Sequence, residues 1–116
     1  MNAYKDIDTA LEEIGIEFYA GMPEFSAGEE PQRYIVYELH DKPDYFASGS
    51  AQSLKVWVSL SIFTPAIDNE LYQLVKNTLK THGCEYQDGR DVGTITPYPY
   101  KKHHSMDFIK DYYKEM

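Results

Sequence analysis

Leu54-Lys55-Val56-Trp57-Val58-Ser59-Leu60-Ser61-Ile62-Phe63 is the stretch on which the fold turns. Leu54, Val56, Val58, Leu60 and Ile62 alternate with Lys55, Trp57, Ser59, Ser61 and Phe63. Successive side chains of a strand point to opposite faces, so one face here is purely aliphatic and the other mixes serines with two large aromatics. An aliphatic face belongs on a core, and an antiparallel sheet with one covered face is expected.

Toward the C-terminus, Thr64-Pro65 ends the strand and a helix is predicted over residues 67–82. Ile67, Leu71, Leu74, Val75, Thr78, Leu79 and His82 mark its buried stripe. Asp68 and Glu70 sit where the helix dipole favours negative charge, and Gly83 supplies the stop. Residues 84–87 read as a short strand and Asp88-Gly89-Arg90-Asp91 as a turn. Residues 94–96 read as a further extended piece, whereas Pro97 and Pro99 exclude a central strand over 97–100. Residues 103–109 fit a last strand, with His104, Met106 and Phe108 on one face. A helix over 105–115 gathering Phe108, Ile109, Tyr112 and Tyr113 competes with it, and the strand through Ile109 followed by a frayed or helical tail is preferred.

Toward the N-terminus, residues 41–53 read as a loop carrying Asp44, Tyr45 and Phe46 and the run Ser48-Gly49-Ser50. Residues 34–40 are a β-branched and aromatic strand, bounded by Pro31 and by Asp41-Lys42-Pro43. Residues 21–33 have loop composition, and residues 16–20 alternate as a short strand. Residues 4–14 read as a short amphipathic helix with Ile7, Ala10, Leu11 and Ile14 on one stripe, acidic at its start and closed by Gly15. The set is α+β.

The chain has 116 residues, the size of one domain, and 42% of them are apolar, enough for one core without a staple. A net charge of -8 has the wrong sign for phosphate binding, and the basic cluster Lys101-Lys102-His103-His104 is a weak footprint. With one cysteine, Cys84, no intrachain disulfide exists, and a packed, reduced thiol is expected. No leader pattern opens the sequence and no apolar run approaches the length of a membrane span, so a cytoplasmic protein is expected. The 11 tyrosines suit sheet margins that cover a core, or surfaces that meet a partner.

His103, His104 and Asp107 are the candidate metal or hydrolytic group. Zinc needs three or four converging ligands, whereas adjacent residues on a strand diverge, so solvated polar residues beside a sheet are the simpler reading. His82 falls in the last turn of the second helix, where a histidine suits the terminal carbonyls. Asp88 and Asp91 lack the oxygen count and spacing of a calcium loop. No nucleophile elbow, phosphate loop or dinucleotide fingerprint occurs, so neither an enzyme nor a cofactor is expected.

Several phrases carry a resemblance. They are Tyr34-Ile35-Val36-Tyr37, then Asp41-Lys42-Pro43 followed by Tyr45-Phe46-Ala47-Ser48-Gly49, the long strand at 54–63, and the helix closed by Gly83. Asp88-Gly89-Arg90-Asp91 and residues 103–108 complete the set. In this order the chain, from about residue 4 to residue 109, resembles the tail-terminator or tail-completion family of head–tail joining proteins of long-tailed phages and prophages. The resemblance implies a mostly antiparallel sheet, of about four to five strands, with two helices packed on one face. It implies a homo-hexameric ring that caps the tail tube and meets the head connector within the virion, and it implies no active site. By analogy the 41–53 loop meets a partner or neighbouring subunit, with Asp41, Asp44, Tyr45 and Phe46 as interface residues; packing of both aromatics beneath their own loop is the plain alternative. The resemblance does not extend to Pro97-Tyr98-Pro99 or to the tail from Asp111. A small metal- or ligand-binding domain and a regulator binding one host partner are the competing functions.

Overall fold

The computed structural model describes residues 3–21, 23–25, 29, 31–44, 53–92 and 102–113. Its elements run α1 (Ala3–Glu12), β1 (Glu17–Ala20), β2 (Tyr34–Asp44), β3 (Ser53–Thr64), α2 (Asn69–Thr81), β4 (Cys84–Val92) and β5 (Lys102–Tyr113). The strands form one sheet in the order β1-β2-β3-β5-β4. β1 lies parallel to β2 and the other three pairs are antiparallel. The alternating stretch that decides the fold is therefore the middle strand.

Its aliphatic side behaves as its pattern requires. Val56, Val58, Leu60 and Ile62 are buried in one cluster with Ile7, Ala10 and Leu11 of α1 and Leu71, Tyr72, Val75 and Leu79 of α2. Ile35 and Tyr37, Cys84, and Met106 and Phe108 extend that cluster across the neighbouring strands. Both helices thus cover the same face of an α+β fold. Each aliphatic side chain so buried contributes roughly 1.5–3 kcal/mol of transfer free energy. The opposite face is not bare: Tyr34, Val36 and Phe63 form a second buried cluster against Tyr19 and Phe25.

Four expectations need correction. Helix α2 begins at Asn69 because Asp68 caps it, its carboxylate accepting from the Leu71 N–H at 3.1 Å. Ile67 therefore precedes the helix, and it is 58% exposed; Leu74, on the outer flank, is 48% exposed, and Tyr72 takes the core position instead. Second, β2 does not stop at His40 but continues through Asp44, paired residue for residue with β3 down to Asp44 opposite Ser53. Third, Asp88-Gly89-Arg90-Asp91 is strand, not turn: an irregular register between Tyr86 and Asp88 absorbs the extra residue, and the ladder resumes to Val92. Fourth, β5 does not stop at Ile109 but runs on as strand to Tyr113, because these residues keep their partners along β3; the tail beyond lies outside the described residues.

Pro43 is tolerated in β2 for a geometric reason. The Tyr37 carbonyl accepts from the Gly21 N–H at 2.9 Å, so Tyr37 turns its backbone groups toward β1. Backbone direction alternates along a strand, and the β2–β3 register is continuous, so Leu39, Asp41 and Pro43 face the same outer side. The N–H that proline lacks would have pointed away from β3.

Candidate functional site

The proposed interface residues divide into two pairs. Asp41 and Asp44 lie in β2, opposite Val56 and Ser53 of β3. Tyr45 and Phe46, with the rest of the expected loop to residue 52, lie outside the described residues. Residues 94–100, read above as an extended piece and a proline segment, lie outside them too.

The histidine group does not converge. His103 and His104 are adjacent on β5 and occupy opposite faces of the sheet. His103 stacks on Phe63 at 4.6 Å, and Phe63 stacks on Tyr34 at 4.9 Å. Tyr34, Phe63 and His103 are register partners across β2, β3 and β5, so the sheet itself sets the three rings in a row. Both ring nitrogens of His103 are buried, with no hydrogen-bond partner among the described residues. Burial, and then the neighbouring His104, pull its pKa below the usual histidine value. His104 lies on the helix side, stacked on Tyr72 at 4.0 Å, with Nδ1 2.8 Å from Asp91 Oδ1. Asp107 shares the face of His103 but sits four residues along the strand, about 13 Å away at the usual rise. Zinc–ligand bonds of roughly 2 Å cannot span that gap. Among the described residues, no group of three His, Cys, Asp or Glu side chains gathers to hold a metal.

Other polar groups tie elements together. His82 caps α2 and contacts Glu13 just beyond α1, while Lys110 of β5 donates to the His82 carbonyl. Buried Cys84 has its thiol pKa pushed up, mainly by desolvation. The Tyr37 hydroxyl donates to Asp8 at 2.5 Å, and burial followed by that bond raises the tyrosine pKa well above its ordinary value. Lys76 of α2 lies 4.0 Å above the Tyr86 ring, clamping the helix on β4.

One surface feature escaped the sequence reading. β1 is four residues long and β2 eleven, so beyond Tyr37 the outer edge of β2 has no partner strand among the described residues. Gly21, at φ +87°, follows the last residue of β1, a backbone conformation that suits glycine. A cavity of about 270 Å³ opens at the corner, lined by Tyr4, Ala20, Gly21 and β2 residues 37–40. The sequence signal for it was the glycine directly after a short strand, but its meaning depends on the parallel pairing, which no local pattern encodes.

No helix among the described residues is long and apolar enough to cross a membrane. No protein-family model matches the chain, and no curated protein matches it. A solved structure does resemble it: a chain of the virion of a native gene transfer agent particle. The TM-score is 0.58 at 8% identity, over 96% of this chain and 91% of the other. At that identity the likeness is one of fold, and it runs through both chains almost end to end.

Proposed function

We propose that this protein is a structural subunit of a phage-like particle, ring-forming, at the joint where a tail meets its head. One observation carries the reading: the near-complete, two-way fold match to a chain of a gene transfer agent virion. The resemblance of residues 4–109 to tail-terminator proteins supports the finer assignment independently of that match. In this reading the chain is a single domain acting through contacts alone, in a homo-hexamer. The β2 end from Asp41 and Asp44 to Tyr45 and Phe46 meets a neighbour, and tail-tube or head-connector proteins are the further partners. The net charge of -8 keeps passing DNA from adhering to the ring.

Mass in solution, measured by light scattering over a concentration series with and without divalent cations, tests the ring. A closed hexamer is the expected species, and Tyr45→Ala with Phe46→Ala reduces it to monomer without lowering the melting temperature. A chain that stays monomeric at every concentration, and also when mixed with tail tubes, removes the ring from the proposal. Tight, steeply salt-dependent DNA binding would remove the role given to the charge.

A further inference from the structure

We infer that the outer edge of β2, from Glu38 to Pro43, is a docking site for an extended, basic segment of a different protein, which adds to the sheet as a strand in line with β1. The inference stands on the edge itself and does not depend on the virion reading.

The backbone chemistry specifies an extended occupant. β1 ends at Ala20, and the Gly21 N–H makes the last bond, to the Tyr37 carbonyl. Leu39 and Asp41 then turn an N–H and a C=O each toward the same side, where no described strand meets them. Groups at this spacing are satisfied together by one incoming strand, the arrangement known as β-augmentation. Pro43 offers a carbonyl but no N–H, so it ends the ladder and limits the docked stretch to a few residues. At the opposite end, the corner cavity beside Tyr4, Ala20, Gly21 and Leu39 accepts one side chain of the incoming strand, at the point where β1 stops.

Charge selects the occupant. Residues 38–44, Glu-Leu-His-Asp-Lys-Pro-Asp, hold three carboxylates against one lysine, and the Glu38 side chain is 61% exposed. A second copy docking by its own β2 edge would set these same carboxylates against one another, which a ring contact made through a different surface of the neighbour does not. A segment alternating lysine with an apolar residue places its ammonium groups beside Glu38 and its apolar side chains over the cavity. The other sheet edge is a poorer site: β4 carries the irregularity between Tyr86 and Asp88, which breaks its ladder.

Amide hydrogen exchange on the intact protein is the test, read by NMR with a capped Lys-Val-Lys-Val-Lys-Val peptide as probe. In the free protein Leu39 and Asp41 are expected to exchange fast while Glu38 and His40, bonded to β3, exchange slowly. Saturating peptide is expected to slow Leu39 and Asp41 about tenfold, as removal of an open edge requires. The same peptide with a central proline, and its Glu-Val counterpart, are expected to leave them fast. Glu38→Lys, an exposed change that leaves the fold intact, is expected to reverse the preference between the Lys and Glu peptides. Slow exchange of Leu39 and Asp41 in the dilute free protein overturns the inference, because the edge is then already closed. Protection of Leu39, which lies outside the proposed ring contact, that grows with protein concentration alone assigns the edge to a second copy and overturns it as well. No protection by the Lys peptide, or equal protection by all three peptides, does the same.

Discussion

A methyl group added at Gly89 would collide with the Tyr86 hydroxyl, which passes over the β4 backbone at that point. The ring has little freedom to retreat, being held by Lys76 on one face and edge-on to Phe108 at 5.6 Å. Gly89→Ala should cost about 1–3 kcal/mol, the usual range for overpacking, and Tyr86→Phe in the same chain should return part of it; paired urea titrations read both. His103 gives the pH dependence. Its pKa is lowered in the fold, so the unfolded chain takes up a proton first, near the ordinary value of 6.5. The stability tied to neutral His103 is thus present above pH 6.5 and is lost as the pH falls from there toward the folded value. His103→Phe should make the difference in stability between pH 7.5 and 5.5 smaller than in the parent. An equal difference in both chains would show that other groups set the acid limit. The raised, buried Cys84 thiol should react with a thiol reagent only on unfolding, at the rate of opening.

At the scale of elements, Asp68 has one carboxylate for two tasks, capping Leu71 N–H and meeting Arg33 at 3.5 Å. The Arg33 pair is solvent-exposed and contributes little, so Asp68→Ala should cost about 1 kcal/mol, mostly through the lost cap. Thermal unfolding of Asp68→Ala beside Arg33→Ala separates the two: a large effect of the arginine change alone would reverse that ranking. This cap also explains which parts of α2 were legible. Leu71, Val75 and Leu79 followed from periodicity, whereas Ile67 was placed on the stripe because the pattern does not reveal where the first turn starts. The middle strand was readable in full, since both of its faces are written in strict alternation. β2 was cut short at His40, ahead of Pro43, because a proline's cost depends on which side its missing N–H would have faced, a property of neighbours distant in sequence. The Asp-Gly pair in β4 misled for a similar reason: pairing with β5 decides between a turn and a continued strand, and the extra residue is absorbed just before it. The histidines were read correctly as diverging but wrongly as solvated: the ring nitrogens of His103 are buried, His104 is stacked on Tyr72, and the row that His103 joins depends on cross-strand register, which no local pattern shows.

At the scale of the whole molecule, the net charge of -8 sets the conditions of self-assembly. Subunits of one sign repel when brought into a ring, and the screening length falls to roughly 10 Å at 0.1 M salt. If the proposed ring forms, its population should rise with added salt, read as mass by light scattering, while a basic peptide docked at the β2 edge should leave as salt rises. Opposite salt responses on one protein would distinguish contact between like subunits from contact with an unlike partner. If both responses had the same sign, one of the two surfaces would be misassigned.

The sheet order also constrains how the molecule is made. β5 lies between β3 and β4 and is the one sheet partner of β4 among the described residues, yet it is translated after every other element described. A ribosome releases α1 and β1 first, then the hairpin of β2 and β3, and then α2, while the middle strand is still open along one side and β4 has nothing to pair with. Closure must await contacts between segments far apart in the chain, which places folding at the slow end for a protein this small. A nascent chain stalled before residue 102 therefore exposes an aliphatic, half-paired strand, and it is in that interval that a chaperone is most needed.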